Sequence, residues 1–163
     1  MAPDEIGEAL VARRCGRDRG GHRTSLSREV AHNSLVRLRV LVVDDNADVA
    51  ETLGMLLSHW GHDVRSAADG PTAIETAAAQ HPDVVLLDIG LPGMSGYEVA
   101  EQIRANPALS DTILVAMTGY GQAEDKRRSR QAGITLHLVK PVEPPLLQKL
   151  LSSLGEARGG GDR

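Results

Sequence analysis

The sequence is 163 residues long, which is enough for one domain of ordinary size with additional terminal segments. Apolar residues make up 41% of it and charged residues 25%, a balance typical of a globular protein. The net charge of −4 is unevenly distributed: residues 1–37 carry seven Arg against five Asp or Glu, whereas residues 38–155 carry nine Lys or Arg against fifteen Asp or Glu. An acidic central region argues against a nucleic-acid partner, and we expect no specific DNA binding.

The cysteine content and the apolar runs exclude several classes of protein. Cys15 is the only cysteine, which excludes an intrachain disulfide and a cysteine-based zinc site. The longest apolar run, residues 113–117, is far shorter than the roughly 20 residues of a membrane-spanning helix. The N-terminus contains acidic residues and no apolar core, so it does not resemble a secretory signal. We therefore expect a soluble cytoplasmic protein with no membrane partner.

The two ends of the chain differ in composition from its centre. Residues 1–37 are rich in Arg and Gly and contain too few apolar residues to offset the entropy of ordering, which predicts a flexible arm. Residues 156–163 are rich in Gly and predict a disordered tail. We therefore expect a single folded domain over residues 38–155.

Strand and helix patterns alternate through this central region. Short β-branched or apolar runs predict strands over residues 38–43, 63–67, 84–87, 113–117 and 135–139. Helical spacing and propensity predict helices over residues 49–60, from the turn at 69–71 to Ala78, and over 97–105, 123–132 and 143–154. Five strands that alternate with five helices predict a doubly wound α/β domain with a parallel sheet, and strand order 2-1-3-4-5 is the favoured topology.

Polar residues follow four of the predicted strands. The first strand ends at Asp44 and Asp45, the third at Asp88, the fourth at Thr118 and the fifth at Lys140. Because ligands bind at the carboxyl ends of parallel strands, we expect these side chains to converge. Three close carboxylates would repel one another, and a hard cation such as Mg²⁺ would relieve the repulsion. No Gly-rich phosphate loop precedes a Lys-Ser or Lys-Thr pair, which argues against a nucleoside triphosphatase.

The same segments carry a family resemblance. Residues 40–46, 86–96, 117–119 and 139–141 resemble the receiver domain of two-component response regulators, over about residues 38–155. The resemblance implies the flavodoxin-like receiver fold and a phosphorelay function. The chain departs from the family in composition, since it contains no Phe and must fill its core with aliphatic side chains. Volume and pattern decide the fold, so this departure does not weaken the expectation.

The resemblance also implies a magnesium site. Asp45 would bind Mg²⁺ directly, Asp44 mostly through water, and Asp88 would be the ligand that also accepts the phosphoryl group. The third protein ligand would be the backbone carbonyl of Gly90, two residues after Asp88. Oxygen donors of this kind suit Mg²⁺.

The remaining signature residues receive roles around the phosphoryl group. Thr118 would donate a hydrogen bond to it and act as a switch residue, and Lys140 would pair with it. Pro141 matches a position where the family has a cis peptide bond. His137 stands where the family usually has Phe or Tyr. Two interpretations of His137 are open: a switch residue whose charge can change near neutral pH, and a half-buried strand histidine without a switching role.

The resemblance implies a histidine kinase or a histidine phosphotransfer protein as the partner. The downstream target is unknown, and a dimer that forms on phosphorylation is a further expectation. The chain would take part only in its own phosphorylation and dephosphorylation, so we do not expect an enzyme. No attached output domain is expected, which leaves a stand-alone receiver or the terminal receiver of a hybrid kinase. Two alternatives are a Mg²⁺-dependent aspartyl-phosphate phosphatase of the haloacid dehalogenase type and a phosphorylation-independent scaffold. The phosphatase usually has a second Asp where Gly90 stands, and a scaffold would be expected to lose the site residues.

The predicted fourth helix is unusual in composition. Residues 122–132 contain no Val, Ile, Leu, Met or aromatic residue, so the helix should gain little from packing and be the least firmly held. We expect phosphorylation to shift this helix and the strand of His137. The helix would then present a basic partner surface made of Lys126, Arg127, Arg128 and Arg130. The alternative is a solvated basic face without partner specificity.

Overall fold

The computed structural model describes residues 36–119 and 126–159. Its strands are β1 (Arg39–Val43), β2 (Asp63–Ala67), β3 (Val84–Asp88), β4 (Ile113–Thr118) and β5 (Leu136–Val139). Its helices are α1 (Ala47–His59), α2 (Gly70–Gln80), α3 (Gly96–Ala105), α4 (Lys126–Ala132) and α5 (Pro144–Gly159), with a short 3₁₀ turn at Pro107–Leu109. Of the predicted arm, only the last two residues are described. The expected start of the fourth helix at Ala123 and residues 160–163 also lie outside the described residues.

The strands form one parallel sheet in the order β2-β1-β3-β4-β5, which confirms the predicted α/β topology. Side chains alternate across β1, where Leu41 and Val43 face one layer of helices and Val40 and Val42 face the other. The first cluster includes the inner faces of α2 and α3, and the second includes those of α1 and α5. The sheet is thus covered on both faces mainly by aliphatic side chains, with Tyr97 in the first cluster and Trp60 packed against the second.

Helix caps fix the loops that lead to the carboxyl edge of the sheet. The side chain of Asn46 accepts hydrogen bonds from the backbone N–H groups of Asp48 and Val49, so α1 begins at Ala47, two residues before the apolar pattern predicted. Ser95 and Glu98 form a capping box at the start of α3. These caps stabilise the turns that directly follow β1 and β3.

The C-terminal helix corrects the predicted boundary of the tail. Helix α5 continues to Gly159, so the expectation of a disordered tail from residue 156 is wrong for residues 156–159. The guanidinium of Arg158 donates to Oδ1 of Asp83 at 2.6 Å and to the carbonyl oxygen of Asp111. These contacts join the last turn of α5 to the segments that precede β3 and β4. None of the helices in the described part of the chain is long and apolar enough to cross a membrane.

A histidine just before β2 makes the stability of the fold dependent on pH. The backbone N–H of Leu38 donates to Nδ1 of half-buried His62 at 3.2 Å, and burial lowers the pKa of His62 below its ordinary value of 6.5. The fold favours the neutral ring of His62. The stabilisation that the neutral ring provides is therefore present above pH 6.5 and is lost as the pH falls through the folded-state pKa of His62.

We therefore expect the free energy of unfolding to fall between pH 7.5 and pH 5, and to fall less in His62→Asn, whose Oδ1 accepts the same hydrogen bond without taking up a proton. Urea unfolding at several pH values measures this. His81→Asn is the control, since it replaces an exposed histidine in a left-handed conformation that Asn tolerates. Identical pH profiles for His62→Asn and the unaltered chain would refute the assignment.

Candidate functional site

Three carboxylates meet at the carboxyl edge of the sheet. Asp44 and Asp45 directly follow β1, and Asp88 is the last residue of the neighbouring strand β3. One carboxylate oxygen from each lies within 4.8 Å of the others. Asp44 and Asp88 are buried whereas Asp45 is exposed, so the cluster opens to solvent on one side. Three oxygen donors at this spacing fit a hard divalent cation such as Mg²⁺.

Asp44 is held from several directions. Its backbone N–H donates to the carbonyl of Ala67 at 3.1 Å, which ties the end of β1 to β2. Its Oδ1 accepts from the backbone N–H of Asn46 at 2.9 Å, and its Oδ2 accepts from Nζ of Lys140 at 2.6 Å. With its side chain fully buried, Asp44 has a fixed orientation, as a residue that positions a ligand requires.

Asp88 is held by the loop that follows it. Its Oδ1 accepts from the backbone N–H of Gly90 at 2.9 Å, and its Oδ2 lies 3.3 Å from Nζ of Lys140. The backbone N–H of Gly90 thus contacts the site. The role of its carbonyl oxygen as a metal ligand stays a prediction. The side chain of Asp88 is 12% exposed whereas that of Asp44 is fully buried, so of the two only Asp88 can be reached by a small reactant.

Lys140 supplies the positive charge of the site. Burial by itself lowers the pKa of Lys140, but the hydrogen bond to Asp44 and the charges of Asp88 and Asp44 outweigh it and raise the pKa above the ordinary 10.5. The stabilisation that the charged lysine provides is therefore fully present below pH 10.5 and is lost only as the pH rises through the folded-state pKa. Lys140 is fully cationic at neutral pH.

Thr118 lies beside this group at the end of β4. It is buried, and its Oγ1 donates to the carbonyl oxygen of Leu138 on β5 at 3.5 Å. Its own carbonyl accepts from the backbone N–H of Lys140 at 2.7 Å, and the peptide bond between Lys140 and Pro141 is cis. The hydroxyl predicted to contact a phosphoryl group is thus turned towards β5 in this structure.

His137 lies on β5 and contacts α4. Its Nε2 is 2.9 Å from Oγ of Ser129, and the ring is half-buried. Ser129, which is not among the residues predicted from the sequence, is buried although it lies in a highly charged helix. A signal was available, because Ser129 precedes Ala132 by three residues and shares its face of the helix.

The basic residues of α4 are not equivalent. All four, Lys126, Arg127, Arg128 and Arg130, are exposed, and the guanidinium of Arg128 also lies 4.6 Å from the centre of the Tyr97 ring. Such a cation–π contact contributes about 0.5–1 kcal/mol at an exposed site. Arg128 therefore also helps to hold α4 to α3, and the basic surface of these four exposed residues stays a prediction.

A groove of about 520 Å³ adjoins the carboxylate cluster. It lies between α1 and the segment after β5, and its mainly apolar walls include Val49, Leu53, Lys140, Pro141 and Val142. Because Lys140 contributes both to the groove and to the carboxylate cluster, a molecule seated in the groove would lie next to Asp44 and Asp88.

Comparisons with known proteins agree on one family. The sequence model of the response regulator receiver domain matches residues 40–152. Protein PilH of Pseudomonas aeruginosa is 31% identical over 116 residues, which cover 71% of this chain and 96% of PilH. A probable transcriptional regulator, ycf27, of Porphyridium aerugineum is 33% identical over 71% of this chain but only 47% of its own length. The chain thus spans about half, or less, of several of the curated relatives it matches.

Solved structures give the same answer. Chemotaxis protein CheY4 of Vibrio cholerae has a TM-score of 0.68 and 30% identity, covering 72% of this chain and 98% of that one. The receiver domain of sensor histidine kinase PA1611 from Pseudomonas aeruginosa, whose structure has a magnesium ion coordinated in the active-site cleft, has a TM-score of 0.67 and 29% identity. That comparison covers 74% of this chain and 98% of the other.

Proposed function

Because this chain belongs to the receiver domain family of response regulators, we propose that it is a signalling switch that accepts a phosphoryl group on Asp88. The observation that carries the proposal is the position of Lys140, whose Nζ lies between the buried Asp44 and the accessible Asp88 at the carboxyl edge of the sheet. A fixed cation beside an accessible carboxylate suits the transfer of an anionic group, in which positioning and charge neutralisation dominate.

The proposed reaction is a transfer from a phosphohistidine. A carboxylate oxygen of Asp88 attacks phosphorus, the phosphorus–nitrogen bond of the donor breaks, and the histidine nitrogen leaves with the bonding electron pair and takes up a proton. The product is an acyl phosphate on Asp88. Lys140 stabilises the added negative charge and needs no change of protonation, because its pKa lies well above neutral pH.

The carboxylate cluster suits a magnesium ion, which would be held by Asp44, Asp45, Asp88 and the Gly90 carbonyl. When bound, the ion would offset the mutual repulsion of the carboxylates and the charge of the phosphoryl oxygens. Thr118 would exchange its hydrogen bond to Leu138 for one to the phosphoryl group, since the modification adds about −1.5 to −2 charges next to it.

The donor would be a histidine kinase or a phosphotransfer protein in the cytoplasm. The groove between α1 and the segment after β5 supports this proposal, because its apolar walls would seat a protein surface beside Asp88. A phosphatase of the haloacid dehalogenase type is not favoured, since Gly90 stands where such an enzyme needs a second acid. We propose that the chain acts on no separate substrate and that its exposed basic residues meet a protein and not a nucleic acid.

Substitution of Asp88 tests the proposal. Incubation with acetyl phosphate and Mg²⁺ should add one phosphoryl group to the chain, seen by intact-mass spectrometry, and Asp88→Asn should show no adduct because the nucleophile is missing. Asp111→Asn, which changes an exposed acid before β4, should be phosphorylated as the unaltered chain is. A chelator should prevent the reaction.

Either of two results would overturn the proposal. An adduct that persists on Asp88→Asn under the same conditions would show that another group is the acceptor. A complete absence of adduct on the unaltered chain, with a known receiver domain phosphorylated in parallel, would show that this site does not accept phosphoryl groups.

A further inference from the structure

Strand β2 forms an open edge of the sheet, because β1 is its only neighbouring strand in the described part of the chain. The backbone N–H of Asp63 donates to the carbonyl of Leu38 at 2.9 Å, so Asp63 directs its backbone groups towards the β1 side. Along a strand these groups point alternately to one side and the other, and those of Val64 and Ser66 therefore point away from β1. An edge of this kind can pair with a further strand.

A groove of about 630 Å³ lies beside this edge, between α1 and β2. Val64 and Ser66 line it from the strand, and Gly54 and Met55 line it from the helix. Met55 is 67% exposed, and a Cβ atom on Gly54 would meet no atom within 4 Å apart from its chain neighbours and the backbone of its own helix. The α1 side of the β2 edge is therefore partly apolar and uncovered within the described residues.

The charges of β2 make its edge complementary to a second copy of itself. When two β2 strands lie antiparallel with Val64 opposite Val64, each Asp63 lies opposite Arg65 of the other copy. The two Val64 residues then exchange backbone hydrogen bonds, and the flanking charged pairs are of the type whose side chains approach closely. Asp63 is half-buried, Arg65 is exposed, and neither forms an ion pair with another described residue.

The same charges disfavour the neighbouring register. With Arg65 opposite Arg65, two like charges would face each other at the centre of the pairing. Charged residues on an edge strand usually prevent association, but the order Asp63-Val64-Arg65 instead selects one antiparallel register. That register also brings both Val64 side chains together on the α1 side, where the exposed Met55 of each copy adds apolar surface.

We propose that the β2 edge is a docking surface for a second copy of this chain, which pairs antiparallel about Val64 and joins two five-stranded sheets into one. Because both copies use the same edge, a two-fold axis closes the assembly at the dimer. Paired five-residue strands bury less than the roughly 1,200 Å² of a stable interface, so we expect a weak dimer with a dissociation constant of about 100 µM. This dimer requires no phosphorylation and so goes beyond the proposed function.

Sedimentation equilibrium of the full, unphosphorylated chain measures the association. We expect monomers at about 5 µM and mostly dimers at about 500 µM, as a dissociation constant between these values requires. The dissociation constant should rise with salt, because exposed ion pairs are screened. Hydrogen exchange followed by nuclear magnetic resonance should show the amide of Val64 exchanging more slowly at the higher concentration, with amides of the central strand β3 unchanged.

Charge reversal identifies the surface. Arg65→Asp places carboxylates opposite each other and Asp63→Arg places guanidinium groups opposite each other, so each should raise the dissociation constant about tenfold or more. The double variant Asp63→Arg/Arg65→Asp exchanges the two charges and should restore the affinity of the unaltered chain, which also shows that loss in the single variants is not misfolding. Lys149→Glu reverses an exposed charge on α5 and is the control, with unchanged association.

Several results would overturn the proposal. A chain that stays monomeric over the whole concentration range has no such edge contact. A dimer that Arg65→Asp and Asp63→Arg leave unchanged uses another surface. Slow exchange at Val64 that does not depend on concentration would mean that the edge is covered within a single copy. Asp88→Asn should dimerise as the unaltered chain does, and a dimer that forms only on phosphorylation would contradict the independence proposed here.

Discussion

Lys140→Met is expected to destabilise the chain by about 3 kcal/mol at pH 7.5 in the absence of divalent cations, because it leaves the buried carboxylate of Asp44 without its cation. The carboxylate of Asp44 is fully buried and lies 2.6 Å from the lysine, and that of Asp88 lies 3.3 Å away. Without the ammonium group, two largely buried negative charges would face each other with Asp45 nearby. Methionine fills the volume of the lysine chain but provides no charge.

Urea unfolding with and without Mg²⁺ measures this effect. We expect Mg²⁺ to reduce the loss in Lys140→Met, since a cation held by the carboxylates would replace part of the missing charge and binding to the folded state stabilises it. Lys140→Arg keeps the charge and is the control, with a smaller loss. A loss that Mg²⁺ does not reduce would contradict the proposed metal site, and no loss at all would contradict the importance of the ion pair.

The candidate site could be predicted because it depends on strand ends. Asp44, Asp88 and Lys140 are far apart in the sequence, but each follows or ends a strand of one parallel sheet, and the strand order brings those ends together. Apolar runs identify such strands with little ambiguity when both faces of the sheet are covered. The predicted strands accordingly differ from the observed ones by no more than one residue at either end.

The features that were not predicted depend on long-range polar contacts. Helix α5 extends to Gly159 because Arg158 contacts Asp83, 75 residues earlier in the chain. No local sequence pattern predicts that contact. Likewise, the spacing of Ser129 from Ala132 indicates its buried face of the helix, but nothing in the sequence pairs it with His137 before the fold places them opposite each other. Polar contacts between distant residues leave no periodic pattern in the sequence. Hydrophobic patterns therefore predict helices and strands better than they predict the polar contacts that join them.

A glycine at the start of α3 is expected to be as sensitive as the charged residues. A Cβ atom on Gly96 would lie 2.5 Å from the carbonyl oxygen of Asp88 and 2.7 Å from Cα of Ile89, and both of these are backbone atoms. The backbone N–H of Gly96 also donates to the carbonyl of Ile89 at 3.1 Å, so α3 begins in direct contact with the chain beside Asp88. A side chain at this position therefore requires the backbone of the proposed phosphoacceptor to move.

We expect Gly96→Ala to lower the free energy of unfolding by about 3 kcal/mol, at the upper end of the usual cost of overpacking, because backbone atoms yield less readily than side chains. The rate of phosphorylation by acetyl phosphate should also fall at least about tenfold, since a displaced nucleophile loses its alignment. Gly54→Ala is the matched control: apart from its chain neighbours and the backbone of its own helix, no atom lies within 4 Å of the added Cβ, and Ala within a helix is favoured over Gly by about 0.5–1 kcal/mol. Urea unfolding and intact-mass time courses measure both effects. If Gly96→Ala were as stable and as reactive as Gly54→Ala, the close approach of α3 would not be what positions Asp88.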